Sequence, residues 1–303
     1  MKYIDSHLHG VNFLQQSTGI KKLLEKMDKS NIEKSVLMGI PIMKKWDSYD
    51  EIEPIGCLDN DSKCYYYSYT DQIIADMFAS LCDKEKKRFA PLICGFNPTD
   101  MHGIKHVEYL LEHNPIWRGV GEVFLRHNSL TNITNEETAR ADHPSMGKIY
   151  QLCNDRNLPI IIHQDSTAIE RSNIYAYTGE LNNVLKKFPK LKIIWAHGGV
   201  TEYIKYNNYY KLIHSMLCQY NNLYIDLSWV IFEQIIYKHH TISKYWIKII
   251  ENFPYKFIIG SDVTGDFNNL PRIIKRYDKL LNKLSPKTKK LVAYANADKL
   301  FFS

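Results

Sequence analysis

Eight short apolar runs, each followed by a stretch of helical periodicity, constrain this chain more than any other feature. The runs are Tyr3–His9, Ser35–Ile40, Phe89–Phe96, Gly119–Leu125, Pro159–His163, Lys192–His197, Leu223–Leu227 and Lys256–Gly260. Most are near-continuous in apolar character, as expected of parallel strands covered on both faces. Between them apolar residues recur three or four apart, as in Ile20-Leu23-Leu24-Met27 and Val107-Leu110-Leu111, and later from Ile231 through Ile250. That is the spacing of helices with one buried face. Eight strand–helix units in 303 residues have the rhythm of a (β/α)8 TIM barrel, an α/β fold. A doubly wound open sheet would carry a glycine-rich first turn, and His7-Leu8-His9-Gly10 is not one.

No linker rich in Pro, Gly or Ser divides the chain, so residues 1–303 are expected to form a single barrel domain. Two connections are longer than a plain connector requires, at about 41–70 after the second run and about 126–145 after the fourth. Both leave the carboxyl ends of strands, the face on which barrels place their active sites. The first carries Trp46, Tyr49 and Tyr65-Tyr66-Tyr67. The two segments are expected to form a substrate-side rim.

The net charge of +6 has its source in lysines around Lys275 to Lys290, where apolar residues recur at helical spacing beneath the charges. A solvated helix face accounts for these lysines, and a nucleic acid is not expected as a partner. Six cysteines are scattered with no Cys-x-x-Cys pair, which suggests reduced thiols in a cytoplasmic setting. No stretch reaches the roughly 18 apolar residues of a membrane helix, and a first strand beginning by Tyr3 leaves no room for a signal peptide. The expected partner is a small-molecule substrate, with no membrane, and with a homo-oligomer left open.

Chemistry enters at the strand ends. Side chains on a strand alternate faces, so His7 and His9 point the same way and can grip one metal ion. Glu122, His163, His197 and Asp262 each sit at or near the carboxyl end of a later run. A lone histidine or aspartate there reads as a satisfied core residue or a cap. Five such coincidences do not, because burying unpaired polar groups is costly and metal ligation satisfies them together. Glu122 interrupts an apolar strand and is a ligand, a bridge between two ions, a carboxylate orienting a histidine, or a structural salt bridge. Arg126, four residues on, shares its face if the strand is regular. It is then a candidate clamp for a substrate carboxylate or phosphate, or else an ordinary surface arginine. Trp229, Gln164, Arg171 and Thr264 are candidate lining residues, His127 a candidate for the rim, and Cys94 a small core residue.

Taken together, Asp5-Ser6-His7-Leu8-His9, Gly121-Glu122, Pro159-Ile160-Ile161-Ile162-His163, Trp195-Ala196-His197-Gly198-Gly199 and Gly260-Ser261-Asp262 resemble the amidohydrolase superfamily of metal-dependent barrels. The resemblance runs from the first residues to a closing segment, Ala293 to Phe301. Within it the chain looks most like the amidohydrolase-related branch (Amidohydrolase 2) that includes aminocarboxymuconate-semialdehyde decarboxylase-like enzymes. That likeness implies that His7, His9, His163 and Asp262 hold one ion, with His197 a catalytic acid or base. The Gly-Glu strand is also similar to TatD-type nucleases, where a carboxylate helps hold a second ion. No lysine stands on the fourth strand to be carboxylated as a bridge, so in a binuclear site Glu122 is the bridge and His197 a further ligand. The function so implied is a metal-dependent hydrolase with one or two divalent ions, zinc first and manganese as the alternative. Its substrate is a small ester, lactone, amide or phosphoester, attacked by metal-activated water with Asp262 as general base. The alternatives are a decarboxylase of an unsaturated or aromatic acid, a TatD-like nuclease with a basic groove, and a catalytically inactive metal-binding effector.

Overall fold

The computed structural model describes residues 1–46, 52–57, 62–131, 137–168, 173–201, 203–204, 206–238 and 240–303. Tyr49 and Arg171, singled out above, lie outside them.

The apolar runs become the strands of a closed barrel. They are β1 (Tyr3–Asp5), β2 (Ile32–Leu37), β3 (Phe89–Pro91), β4 (Val120–Phe124), β5 (Ile160–His163), β6 (Ile193–Trp195), β7 (Leu223–Asp226) and β8 (Phe257–Ile258). Pairing is parallel throughout, β1 with β2 and β2 with β3, then β4 through β8 in order. A bridge between Ile93 and Val120 joins the two sheets. Ser6 N–H donates to Ile259 O at 3.0 Å and brings β8 back to β1, leaving no free edge.

Alternation sorts the side chains into two layers. On β5, Ile160 and Ile162 pack outward with the helices, while Ile161 joins an inner cluster with Ile4, Val36, Ala90, Ile194 and Ile258. Helices Ile20–Lys29 (α1), Thr70–Ala79 (α2), Gly103–His113 (α3), Pro144–Asp155 (α4), Thr178–Lys187 (α5), Tyr209–Gln219 (α6) and Lys244–Asn252 (α7) form the outer ring. The last helix, α8 (Asn296–Phe301), adds Ala297, Leu300 and Phe301 to the inner cluster. Asn296 anchors it by donating to Pro254 O and Phe257 O, both 2.8 Å away, so this helix plugs the amino-terminal end of the barrel.

Several boundaries differ from the expected ones, β2 among them, which runs Ile32–Leu37 where Ser35–Ile40 was expected. The first run splits after Asp5 because its hydrogen bonds change partner. Leu8–His9 pairs with Val263–Thr264 in a separate parallel ladder, and His7 falls in the break. The regular third strand ends at Pro91, although Leu92 N–H still donates to Leu37 O and Ile93 still bridges Val120. The periodic stretch from Ile231 to Ile250 is not one helix: a π-turn, Phe232–Ile236, leads into a hairpin of Tyr237–Lys238 with Thr241–Ile242 before α7. Beyond β2, Ile42–Lys44 and Cys64–Tyr66 form an antiparallel hairpin on the expected rim segment. Among the described residues no helix is long and apolar enough to cross a membrane.

Candidate metal centre

At the carboxyl ends of the strands the inner face turns from hydrocarbon to imidazole and carboxylate. His163 stands two residues beyond Ile161 on the same face of β5, and His197 ends the run of β6. Asp262 follows β8, and Glu122 lies within β4. His7 is seated against β8 at Gly260, where any Cβ would meet the His7 Cβ at 2.4 Å. His197, Trp229 and Asp262 all have left-handed backbone, with φ of 55°, 55° and 56°. Such geometry costs about 1–3 kcal/mol per non-glycine residue and is retained where the surroundings hold it.

The donor atoms converge. His7 Nε2 lies 3.2 Å from His9 Nε2, 3.2 Å from Glu122 Oε2 and 3.4 Å from Asp262 Oδ1. His9 Nε2 lies 3.3 Å from Glu122 Oε2 and 3.4 Å from Asp262 Oδ1. On the other side of Glu122, Oε1 is 3.2 Å from His163 Nδ1 and 3.4 Å from His197 Nε2. Two donor groups therefore meet at one carboxylate: His7, His9 and Asp262, and Glu122, His163 and His197. All are buried except Asp262, whose side chain is 13% exposed.

Each histidine is held by its other nitrogen. His9 Nδ1–H donates to Gly39 O at 2.7 Å, and His163 Nε2–H to Asp165 Oδ1 at 3.0 Å. His7 Nδ1–H donates to Asp226 Oδ2 at 2.6 Å. His197 Nδ1–H donates to Ser228 Oγ at 2.9 Å, and that hydroxyl donates onward to Asp226 Oδ2 at 2.5 Å. One buried carboxylate thus orients two histidines, one from each donor group. These contacts leave a lone pair on each centre-facing nitrogen, the arrangement that carboxylate and carbonyl partners impose on metal-binding imidazoles.

Charge balance adds a second constraint. Burial opposes protonation of the imidazoles, yet the neighbouring carboxylates outweigh it. His7 is raised by Glu122, Asp262 and Asp226, His9 to about 9 by Asp262 and Glu122, and His163 to about 9 by Asp165 and Glu122. Burial would raise Glu122 and Asp262, but the adjacent imidazoles, His7 foremost, hold both below the usual carboxylate range. Two buried carboxylates require positive charge close by, from protons on the imidazoles or from a divalent cation. The nitrogen and oxygen donors present fit zinc, manganese or similar ions.

The cavity above the cluster is about 210 Å³ and is lined by Phe13, Ile40, Phe124, Leu130, Trp229, Thr264, Cys57 and His127 beside the polar cluster. Trp229, Thr264 and His127 thus lie where substrate would enter. Two residues do not. Arg126 was expected as a clamp sharing the face of Glu122, but β4 ends at Phe124 and alternation is lost. Its guanidinium instead grips Glu180 at 2.6 and 3.0 Å and stacks 4.0 Å from the Tyr177 ring. Gln164 joins the same network, accepting from Ala141 N–H and donating to Glu180. Cys94 is fully buried, and burial pushes its thiol well up. Asp165, Asp226 and Ser228 were missed. Asp226 ends Leu223-Tyr224-Ile225-Asp226, so the rule that found Asp262 (an acid closing an apolar run) points to it as well.

The Amidohydrolase family model matches residues 72–302. The chain belongs to the amidohydrolase family. Its members are metal-dependent enzymes that act on small substrates. No curated protein matches this amidohydrolase. Among solved structures it is similar to an amidohydrolase from Burkholderia multivorans with bound zinc, at TM-score 0.61 and 11% identity over 100% of this chain and 99% of that one. It is likewise similar to 5-carboxyvanillate decarboxylase from Sphingomonas paucimobilis, at 0.59 and 15% over 99% of each chain. A probable 2-pyrone-4,6-dicarboxylic acid hydrolase from Acinetobacter baumannii gives 0.59 and 14% over 100% of each. At these identities the likeness shows the shared barrel, and the neighbours include both hydrolases and a decarboxylase.

Proposed function

We propose that this amidohydrolase is a cytoplasmic hydrolase of a small ester, lactone, amide or phosphoester, with two divalent ions, zinc before manganese. The observation that carries the reading is the pair of donor groups meeting at Glu122 beside Asp262. His7, His9 and Asp262 would hold one ion and His163 and His197 the other, with Glu122 between them. The committed Nδ1–H of His197 favours a ligand role for it over that of a catalytic acid. Bound divalent ions supply Lewis acidity and make water acidic enough to yield hydroxide near neutral pH. Asp262, the accessible member of the cluster, takes the proton of the attacking water and returns it to the leaving group. Trp229 would pack against the substrate, and the described parts of the segments after β2 and β4 would form the rim of the single domain.

Nuclease action calls for a basic groove, and no described lysine or arginine lines the cavity. Decarboxylation would use a cationic clamp, and Arg126 is committed to Glu180. Elemental analysis of protein purified without added metal, beside Glu122→Ala, tests the centre. Two ions are expected, falling to one or none in the variant with loss of ester and lactone turnover. A single ion unchanged by the substitution would refute the binuclear assignment.

A further inference from the structure

His127 lines the cavity and presents a ring N–H that no group among the described residues accepts. Its backbone is locked by Thr131, whose hydroxyl accepts from His127 N–H at 3.0 Å and whose N–H donates to His127 O at 3.1 Å. The next residue, Asn128, donates its N–H to Asp165 Oδ2 at 2.8 Å, so the turn is tied to the carboxylate that also holds His163. The His127 ring stacks on His163, with centroids 4.1 Å apart and planes 21° apart. Its other flanks meet Phe124 and Trp229 at 5.6 and 6.0 Å.

The tautomer follows from one contact. Ser129 N–H donates to His127 Nδ1 at 3.2 Å, so Nδ1 carries a lone pair and the proton sits on Nε2. Among the described residues nothing accepts that Nε2–H, although the side chain is 5% exposed and lines the cavity. An N–H donor rigidly placed beside the reacting centre, with its acceptor missing, is what a site built for a particular oxygen presents. Away from the polar cluster the wall is mostly aromatic and aliphatic and no described arginine lines it, while Arg126 is paired with Glu180 and Arg276 with Glu233.

We propose that His127 is the substrate-orienting donor, its Nε2–H bonded to an oxygen of an uncharged, planar ester or lactone whose ring lies against Trp229 and Phe124. The proposal rests on the hydrolytic reading above and narrows it to neutral substrates recognised by a hydrogen bond rather than an ion pair. No bond is made or broken at His127; it fixes the carbonyl for attack from the side of Asp262.

Holoprotein carrying isotope-labelled histidine tests this by magnetic resonance, which reports the ring nitrogen that bears the proton. The expected result is a protonated Nε2 whose signal moves on addition of dihydrocoumarin, an uncharged aromatic lactone, and stays in place with benzoate. A protonated Nδ1, or a signal that moves with benzoate and not with the lactone, overturns the proposal. In turnover, His127→Phe keeps a ring against His163 but has no N–H. Its KM for dihydrocoumarin should rise about ten-fold, at unchanged metal content. His127→Gln, which offers an amide N–H, should recover part of the loss. A KM for the Phe variant within about two-fold of wild type also overturns it. Should wild-type protein leave dihydrocoumarin intact, hydrolysis of such lactones fails as a reading, while the resonance experiment still decides the role of His127.

Discussion

The two ends of the barrel are made by the same strands and the same alternation, yet they obey different rules. At the amino-terminal end Ile4, Val36, Ala90, Ile161, Ile194 and Ile258 fill the interior with hydrocarbon, closed by Leu300 and Phe301. At the carboxyl end His7, His9, Glu122, His163 and His197 are buried almost as deeply. Every apolar group in the lower layer gains from burial on its own account, at about 25 cal/mol per Å². The buried ligand histidines and carboxylates of the upper layer are tolerable only through polar partners, most of them supplied by other strands. The lower layer is therefore additive, and the upper one is contingent: Asp226 serves His7 directly and His197 through Ser228.

The sharpest way to break that comparison is to damage the lower layer and watch the upper. Ile161→Ala should cost about 2–5 kcal/mol of stability, read by denaturant unfolding, while metal content of the folded protein stays as in wild type. Loss of metal in the folded variant would show that the layers are not separable. The converse is Asp226→Asn, which leaves volume and burial intact. It should weaken metal binding about 10- to 100-fold in competition with a chelator. Ser228→Ala should do less, because it frees His197 and leaves His7 held. Equal affinity in all three proteins would mean that the shared carboxylate orients nothing. The smallest effect belongs to Arg126→Ala, which removes a partly exposed ion pair outside the cavity. Stability should fall by about 1 kcal/mol or less in thermal unfolding, with turnover within about two-fold of wild type. A large loss of turnover would restore Arg126 as a substrate clamp.

Much of the architecture is legible in the sequence. Pro159-Ile160-Ile161-Ile162-His163 announces a strand and, on the face of Ile161, a histidine at its carboxyl end, because alternation is a local property. The same logic names His197 and Asp262. It fails where hydrogen bonds change partner. The break at Ser6-His7 depends on Ile259 and Asp262, more than 250 residues away in the chain, and no periodicity in the first ten residues announces it. Arg126 looked available because Glu180, its partner, lies 54 residues on and faces it only once α5 has docked. Asp226 was within reach of the reasoning and was overlooked; its role as the shared acceptor for two histidines was not.

What the amino-acid sequence determined by itself was the barrel, the end of it that carries chemistry, and the residue types brought there. These follow from apolar periodicity and from where polar residues interrupt it, both short-range properties of the chain. Only the tertiary structure decided which nitrogen of each histidine faces the centre, that two donor groups meet at Glu122, and that His127 keeps a donor unspent while Arg126 does not. Those choices depend on hydrogen bonds a few ångströms long between residues far apart in the chain, and only closure of the barrel brings them within range.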